Sequence, residues 1–205
     1  MVGRKQFAMI VKGDMRLWLE RAVIGLNLCP FAKAVHTRQQ IHYAVSQAAT
    51  PDALLLELGR ELRDLMASDP GVRDTTLLIA PHCLADFLDF NDFLTMADQK
   101  LVDLQLDGEV QIASFHPDFR FANTSPDDIT NFTNRAPYPT LHLLREASVD
   151  RAVAAFPQAE SIFERNMRTM EQLGIAGWLA LGLQSTVPVA GASGQGGAPD
   201  RKMDP

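Results

Sequence analysis

The sequence is poor in cysteine, since its 205 residues include only Cys29 and Cys83. Two cysteines are too few for a disulfide framework, and their separation excludes a Cys-x-x-Cys motif. Hydrophobic runs are short as well, and none approaches the roughly 18 residues that a membrane-spanning helix needs. The first ten residues contain Arg4 and Lys5 but no apolar stretch of signal-peptide length. We therefore expect a cytoplasmic protein that does not bind membranes.

Basic charge is also scarce, because 19 lysine and arginine residues stand against 25 aspartate and glutamate residues. The formal net charge of -6 predicts an acidic surface that repels phosphate backbones, so we expect no nucleic-acid partner. The chain lacks glycine-rich nucleotide loops, the GxSxG elbow and the HxxxH, CxxC and HExxH spacings of metal sites. A small-molecule ligand is the expected partner, and a homo-oligomer is compatible with these properties. The sequence assigns no metal ligands and leaves the identity of any cofactor open.

The composition is that of a globular protein, with 46% hydrophobic and 21% charged residues. This content and length predict one domain at 14–182. A segment without clear periodicity at 1–13 is expected to be loose. The last segment, 183–205, is rich in Gly, Ala, Ser and Pro and is expected to be a disordered tail.

The middle of the chain alternates strand and helix patterns. Strand-like runs lie at 41–47, 75–80 and 109–115, and amphipathic patterns at 51–66 and 85–106 separate them. Two β-α-β crossovers predict an α/β (or α+β) fold, with a small mainly parallel or mixed sheet of three or more strands and helices packed around it. Residues 140–146 suit either a strand or a helix. A long C-terminal helix is predicted at 157–173, with Gly174 as its natural stop.

Cys29 is the candidate nucleophile. Asp14 can cap a helix that ends near Leu28, which would place Cys29 at a helix C-terminus, where the dipole does not lower a thiol pKa. A reactive thiol would therefore need Lys33, an arginine or a histidine beside it. The alternative is a small buried residue at a helix end, because free cysteine is among the most buried residue types.

His116 and His142 are the candidate bases. His116 follows the third predicted strand and precedes a long polar loop, and ligands of open α/β sheets bind beyond the carboxyl ends of the strands. The alternative for His116 is a histidine that bonds the backbone at a strand end. His142 lies between leucines, which favours a satisfied, half-buried side chain over a functional one.

Four polar residues of one region are candidates for binding a substrate. Arg135 and Arg145 suit an anionic group, and Asn131 and Asn134 suit a polar substrate or an oxyanion. Arg135 lies in a stiff loop, 134–139, with two prolines. The alternatives are an ion pair of Arg135 with a nearby aspartate, Asp127 or Asp128, and hydrogen bonds of the asparagines to the loop backbone.

Several long segments of the chain resemble a bacterial domain-of-unknown-function family, number fourteen-fifteen. The segments are 18–32, 74–78, 86–94, 113–117, 125–131 and 134–146. The resemblance covers about Met15–Gly174, although the family often has a serine at the position of Ala136. It implies no reaction. It does imply that seven residues lie in the segments by which the family is recognised: Cys29, His116, Asn131, Asn134, Arg135, His142 and Arg145.

Three hypotheses of function follow. In the one we favour, the protein is a small-molecule enzyme that acts on an anionic polar substrate at the carboxyl ends of the strands, beneath 115–145. Cys29 is then a nucleophile or redox thiol, and His116 or His142 is its base. In the second, Cys29 and a histidine bind haem or a metal. In the third, the loop 134–139 of a non-catalytic domain binds a ligand or peptide.

Overall fold

The computed structural model describes residues 3–155 and 161–189. These residues form six α-helices and four strands. In chain order they are α1 (Arg4–Trp18), α2 (Ala32–Thr37), β1 (Ile41–Val45), α3 (Pro51–Ala67), β2 (Thr75–Ile79), α4 (Phe87–Asp103), β3 (Val110–Phe115), β4 (Thr140–Arg145), α5 (Glu146–Ala154) and α6 (Ile162–Ala180). A π-helical segment, Leu19–Ile24, continues α1, and a 3-10 helix, Ile129–Asn134, precedes β4.

The four strands form one mixed sheet in the order β1-β2-β4-β3. β1 and β2 are parallel, and β4 is antiparallel to both β2 and β3. The two crossovers run through α3 and α4, which confirms the predicted α/β architecture with a mixed sheet. Residues 140–145 are a strand, and this strand separates β2 from β3.

Local signals explain where the crossover helices begin. The Thr50 hydroxyl accepts a hydrogen bond from the backbone N–H of Ala53, and Pro51 occupies the first turn of α3. The Asp86 carboxylate accepts from two backbone N–H groups at the start of α4. Helices α3 and α4 then cover one face of the sheet, and the core that they form includes Leu58, Leu78 and other leucine and phenylalanine residues.

The opposite face is covered unevenly. The helix α1, the π-helical segment and α6 build a second core that includes Trp18, Tyr43 and Met170. This core reaches β1 and β2. In contrast, Ala113 of β3 and His142 of β4 are only half-buried on this face. The side chains of β3 and β4 therefore leave space above half of the sheet.

The N-terminal region differs from the expectation, because α1 begins at Arg4 and residues 4–13 are helical rather than loose. Val11 is fully buried in the second core, and this packing stabilises a helix whose sequence pattern is weak. Asp14 lies inside α1 and is not a cap. Its carboxylate accepts a hydrogen bond from the Tyr138 hydroxyl at 2.6 Å.

The C-terminal region differs too. A long C-terminal helix is present, and Gly174 kinks it with a φ of 64° and does not end it. Residues 183–189 belong to the predicted tail but pack on the second core, and the Thr186 backbone N–H donates to Asp14 at 2.8 Å. The rest of that tail, 190–205, lies outside the described residues. Within 3–155 and 161–189, no helix has the length and apolarity needed to cross a membrane.

Candidate functional site

A cavity of about 700 Å³ lies on the half-covered face of the sheet. Its floor is formed by residues of the strands: Leu77, Ala113, Phe115, His142 and Leu144. One wall is the segment 29–38, which includes α2, and another is α5. Pockets of this size hold small molecules in other proteins.

The cavity extends to the amino ends of the parallel strands. Its lining includes Ile41, Thr75 and Gln111, which lie at or beside the first residues of β1, β2 and β3. From the sequence, the ligand site was expected at the carboxyl ends of the strands instead. There the loop 116–139 inserts its own side chains, such as Phe132 and Tyr138, into the second core.

His142 is held in one orientation by Thr75. Its Nε2 lies 2.6 Å from the Thr75 hydroxyl oxygen, which itself lies 2.7 Å from the carbonyl oxygen of Leu143. The single hydroxyl proton forms the hydrogen bond to that carbonyl, so the hydroxyl oxygen accepts a hydrogen bond from the Nε2–H group of His142. This assignment leaves Nδ1 as the basic nitrogen, and Nδ1 has no hydrogen-bond partner among the described residues. Burial lowers the pKa of His142 to about 4, and the imidazole is therefore neutral at pH 7.

Cys29 lies in the turn between the π-helical segment, which ends at Ile24, and α2, which begins at Ala32. The helix that was expected to reach about Leu28 therefore ends earlier. Asn27 adopts a left-handed conformation with a φ of 54°, and the chain turns so that the N–H groups of Leu28 and Cys29 bond back to Val23. Burial raises the pKa of the Cys29 thiol, and hydrogen bonds from the backbone N–H groups of Phe31 and Ala32 to the sulfur oppose that rise. The net shift is upward, so the thiol is protonated at pH 7.

The structure brings Cys29 and His142 into the lining of the same cavity. Both groups are neutral near pH 7 for the same reason, because partial burial disfavours the charged form of each. The third candidate of the thiol and imidazole site, His116, does not line this cavity.

His116 is fully buried at the end of β3. Its Nε2 lies 3.0 Å from the carbonyl oxygen of Leu84, and its Nδ1 accepts a hydrogen bond from the backbone N–H of Asp118 at 3.0 Å. Both ring nitrogens are thus occupied, and the ring packs against Phe87 and Phe90. Burial lowers the pKa of His116 and keeps it neutral. These contacts correspond to the structural alternative, a histidine that bonds the backbone at a strand end.

The two asparagine candidates hold the loop that follows β3. The fully buried Asn131 accepts hydrogen bonds from the Phe121 N–H and the Thr124 hydroxyl and donates to the carbonyl of Ser125. Asn134 donates to a backbone carbonyl of β3 at 3.3 Å. Their amide groups therefore bond the protein itself, outside the cavity.

Arg135 belongs to the same loop. Its guanidinium donates to the carbonyls of Phe119 and Pro126 and lies 3.9 Å above the Phe132 ring. The expected alternative, an ion pair with Asp127 or Asp128, is not formed. Arg135 thus stabilises the loop through carbonyls and an aromatic ring.

Arg145 is buried at the end of β4 and contributes to the cavity lining. Its Nη2 donates to the carbonyls of Leu65 and Ser68, at the C-terminus of α3. The partial negative charge of a helix C-terminus favours a cation there. Its Nε is buried without a hydrogen-bond partner in the described part of the chain. The guanidinium therefore caps α3 and also adds positive charge beside the cavity.

Six polar residues of the lining were not predicted from the sequence: Arg38, Asp74, Thr75, Gln111, Ser148 and Arg151. The Ser148 hydroxyl donates to Asp74 at 2.6 Å and accepts from Arg151 at 2.9 Å. Asp74 and Thr75 lie inside a segment that resembles the family, which was the one available signal. Arginines on exposed helices are common, so nothing in the sequence distinguished Arg38 or Arg151.

The part of the chain that the structure describes contains no set of side chains arranged to bind a metal ion. There, no three His, Cys, Asp or Glu side chains are grouped in a way that could hold a metal ion. Cys29, Asp74 and His142 are potential ligands that line the cavity, but they do not form such a group.

Comparison with known proteins gives one result. No curated protein and no solved structure matches the sequence. A family profile described as "Protein of unknown function (DUF1415)" matches residues 11–180. The matched region contains all four strands and all the described residues that line the cavity. The chain therefore belongs to this family of proteins of unknown function, DUF1415.

Proposed function

We propose that this protein is a small-molecule enzyme in which Cys29 is the nucleophile and His142 its base. The observation that carries the proposal is the state of His142, a neutral imidazole anchored through Nε2 by Thr75, with Nδ1 unpartnered in a cavity that Cys29 also lines. A neutral imidazole oriented by a third group is one part of the arrangement that activates serine and cysteine nucleophiles. The other part, a hydrogen bond from the nucleophile to the base, is not formed between Cys29 and His142 in the described structure.

The pKa values of Cys29 and His142 determine when the proton can move from the thiol to the imidazole. The pKa of Cys29 lies above 9.0 and that of His142 is about 4. Moving the proton from the resting thiol to the imidazole is therefore strongly unfavourable. This cost rules out a resting thiolate–imidazolium pair. The proton must instead move in the same step as the attack on the substrate.

In that step, the Cys29 sulfur forms a bond to an electrophilic carbon of the substrate. The thiol proton passes to Nδ1 of His142 through a bridging water molecule, because no hydrogen bond joins Cys29 to His142 among the described residues. The leaving group departs with the electron pair of the broken bond. Thr75 accepts the Nε2 hydrogen bond throughout and keeps the ring oriented. The backbone N–H groups of Phe31 and Ala32 stabilise the negative charge that develops on the sulfur.

The substrate class follows from the lining. The cavity has an apolar part and a polar part, which suits a small organic molecule better than a macromolecule. We propose an anionic polar group on that molecule, as the sequence suggested. The cytoplasm remains the proposed compartment, with no membrane or nucleic acid as partner.

The test uses p-nitrophenyl acetate as an electrophile, with the full chain carrying Cys83→Ser. Attack by Cys29 releases p-nitrophenolate and leaves an acetyl group on the sulfur, which intact mass spectrometry detects. We expect Cys29→Ser to abolish the adduct and His142→Gln to slow its formation at least about tenfold. His82→Gln is the matched control, because His82 lies outside the cavity.

Two results would contradict the enzyme proposal. One is the absence of a Cys29 adduct, and the other is an adduct that forms equally fast in His142→Gln. Either result, in protein with a native circular dichroism spectrum, would favour the non-catalytic binding domain over the enzyme.

The second candidate function is the binding of haem or a metal by Cys29 and His142. The observation in its favour is that both lie in one cavity with the aromatic rings of Trp18, Phe31 and Phe115. His116 is not a candidate ligand, because both of its nitrogens are bonded. Titration with hemin tests this function: a Soret band that shifts in Cys29→Ser would support it, and an unchanged spectrum would not.

A further inference from the structure

Arginines in the lining of the cavity give it positive charge, one of them buried (Arg145) and two exposed (Arg38 and Arg151). Three arginines, Arg38, Arg145 and Arg151, line the cavity, and Asp74 is the acidic residue among the described lining residues. Asp74 already accepts a hydrogen bond from Ser148. The imidazole of His142 is neutral and adds no charge. The lining therefore has an excess of positive charge, although the protein as a whole has a net charge of -6.

These three arginines have no carboxylate partners in the part of the chain that the structure describes. None of them forms an ion pair there. Arg145 is 8% exposed and is balanced by carbonyls of α3, which are dipoles and not full charges. A buried cation without a carboxylate keeps a positive potential in the adjacent cavity, where water screens it poorly.

The rest of the lining is apolar. Trp18, Leu19, Val23, Val35 and Phe115 belong to it. Inorganic phosphate or a small dicarboxylate would leave this apolar part of a 700 Å³ cavity unfilled. A ligand that matches the whole lining needs an apolar body and one anionic end.

We infer that the cavity binds an amphipathic carboxylate, with its anionic end at Arg38 and Arg151 and its apolar body against the floor of β3 and β4. This inference rests on the proposed function and names its substrate class. It places the anionic end on residues other than Arg135, whose guanidinium is engaged by the loop. It also puts the reacting part of the ligand within the same cavity as Cys29 and His142.

The test compares octanoate with 1-octanol, which share a chain length and differ in charge. Binding to the full chain with Cys83→Ser is measured by calorimetry at pH 7.5, and protection of Cys29 from iodoacetamide locates the bound molecule. We expect octanoate to bind about tenfold more tightly than octanol and to protect Cys29. In the double variant Arg38→Gln/Arg151→Gln, this preference should fall below about threefold.

Arg168→Gln is the matched control, because Arg168 is an exposed arginine of α6 outside the lining, and the full preference should persist. Equal affinities for octanoate and octanol, an unchanged preference in the double variant, or unprotected Cys29 would each overturn the inference. The p-nitrophenyl acetate assay tests the enzyme proposal and does not depend on the binding of octanoate. Loss of the His142-dependent adduct with a retained octanoate preference would refute the enzyme and keep the carboxylate site.

Discussion

The neutral state of His142 has a measurable consequence for stability. Burial lowers its pKa from 6.5 to about 4, so the unfolded chain binds a proton at this residue in a pH range where the folded protein does not. A group whose folded pKa is lowered in this way favours unfolding as the pH falls. The contribution of neutral His142 is fully present above pH 6.5 and is lost as the pH falls towards 4.

The size of the effect follows from the two pKa values. At about 1.4 kcal/mol for each pH unit between them, His142 accounts for a loss of about 3 kcal/mol between pH 7.5 and pH 4. About 2 kcal/mol of this loss is already reached at pH 5. Domains of this size are stable by about 5–15 kcal/mol, so the effect is a substantial part of the total.

The assay is urea denaturation of the wild type and of His142→Gln at pH 7.5, 6 and 5. Glutamine keeps an N–H donor for Thr75 but cannot titrate in this range. The free energy of unfolding of the wild type should therefore decrease more steeply with falling pH than that of His142→Gln. Thr75→Ser keeps the hydroxyl and is the matched control, which should retain the wild-type slope.

Nuclear magnetic resonance checks the same reasoning at the ring itself. The ¹⁵N spectrum of His142 should show a protonated Nε2 and an unprotonated Nδ1 down to about pH 5. Parallel pH profiles for the wild type and His142→Gln would refute the argument, as would a His142 resonance that titrates near 6.5.

Three further predictions follow from the contacts described above. Replacing the fully buried Asn131 with alanine removes three hydrogen bonds. The free energy of unfolding should fall by about 3 kcal/mol in urea denaturation, and a loss below about 1 kcal/mol would contradict the loop-holding role. Replacing Asp14 with alanine removes both acceptors of Thr186, so amide hydrogen exchange at Thr186 should accelerate at least about tenfold. Unchanged exchange would mean that apolar contacts alone hold 183–189. In Cys83→Ser protein, the rate of Cys29 alkylation should still increase above pH 9.0, because burial raises the thiol pKa. A plateau below about pH 8 would show an activated thiolate instead.

The central part of the fold was predictable because the sequence patterns that mark its helices and strands are local. The Thr50-Pro51 start of α3 and the apolar run of β2 each determine structure within a few residues. Short apolar strands that alternate with amphipathic helices then leave few arrangements other than β-α-β crossovers.

The position of β4 was not predictable in the same way. Residues 140–145 are compatible with a helix or a strand when taken alone, and their pairing with both β2 and β3 depends on residues far away in the chain. The helical start of α1 is similar, because Val11 and Met15 are stabilised by the second core and not by a strong local pattern. Tertiary packing determines both elements.

The candidate site was predictable in part. Cys29 and His142 were both named from the sequence, and the structure places them in one cavity. Their common location depends on the turn at Asn27 and on the insertion of β4, neither of which has a sequence signature. Arg38 and Arg151 are candidates for ligand binding only because they line the cavity.

The insertion of β4 also bears on how the protein folds. Because β3 pairs only with β4 within the described sheet, residues 110–115 have no strand partner until residues 140–145 are available. The pair β1 and β2 has no such dependence, and it can assemble as soon as α3 connects them. During synthesis, the first half of the sheet is therefore expected to form before the floor of the cavity. A growing chain that stalls between β3 and β4 would expose an unpaired strand, which is the kind of edge that promotes aggregation.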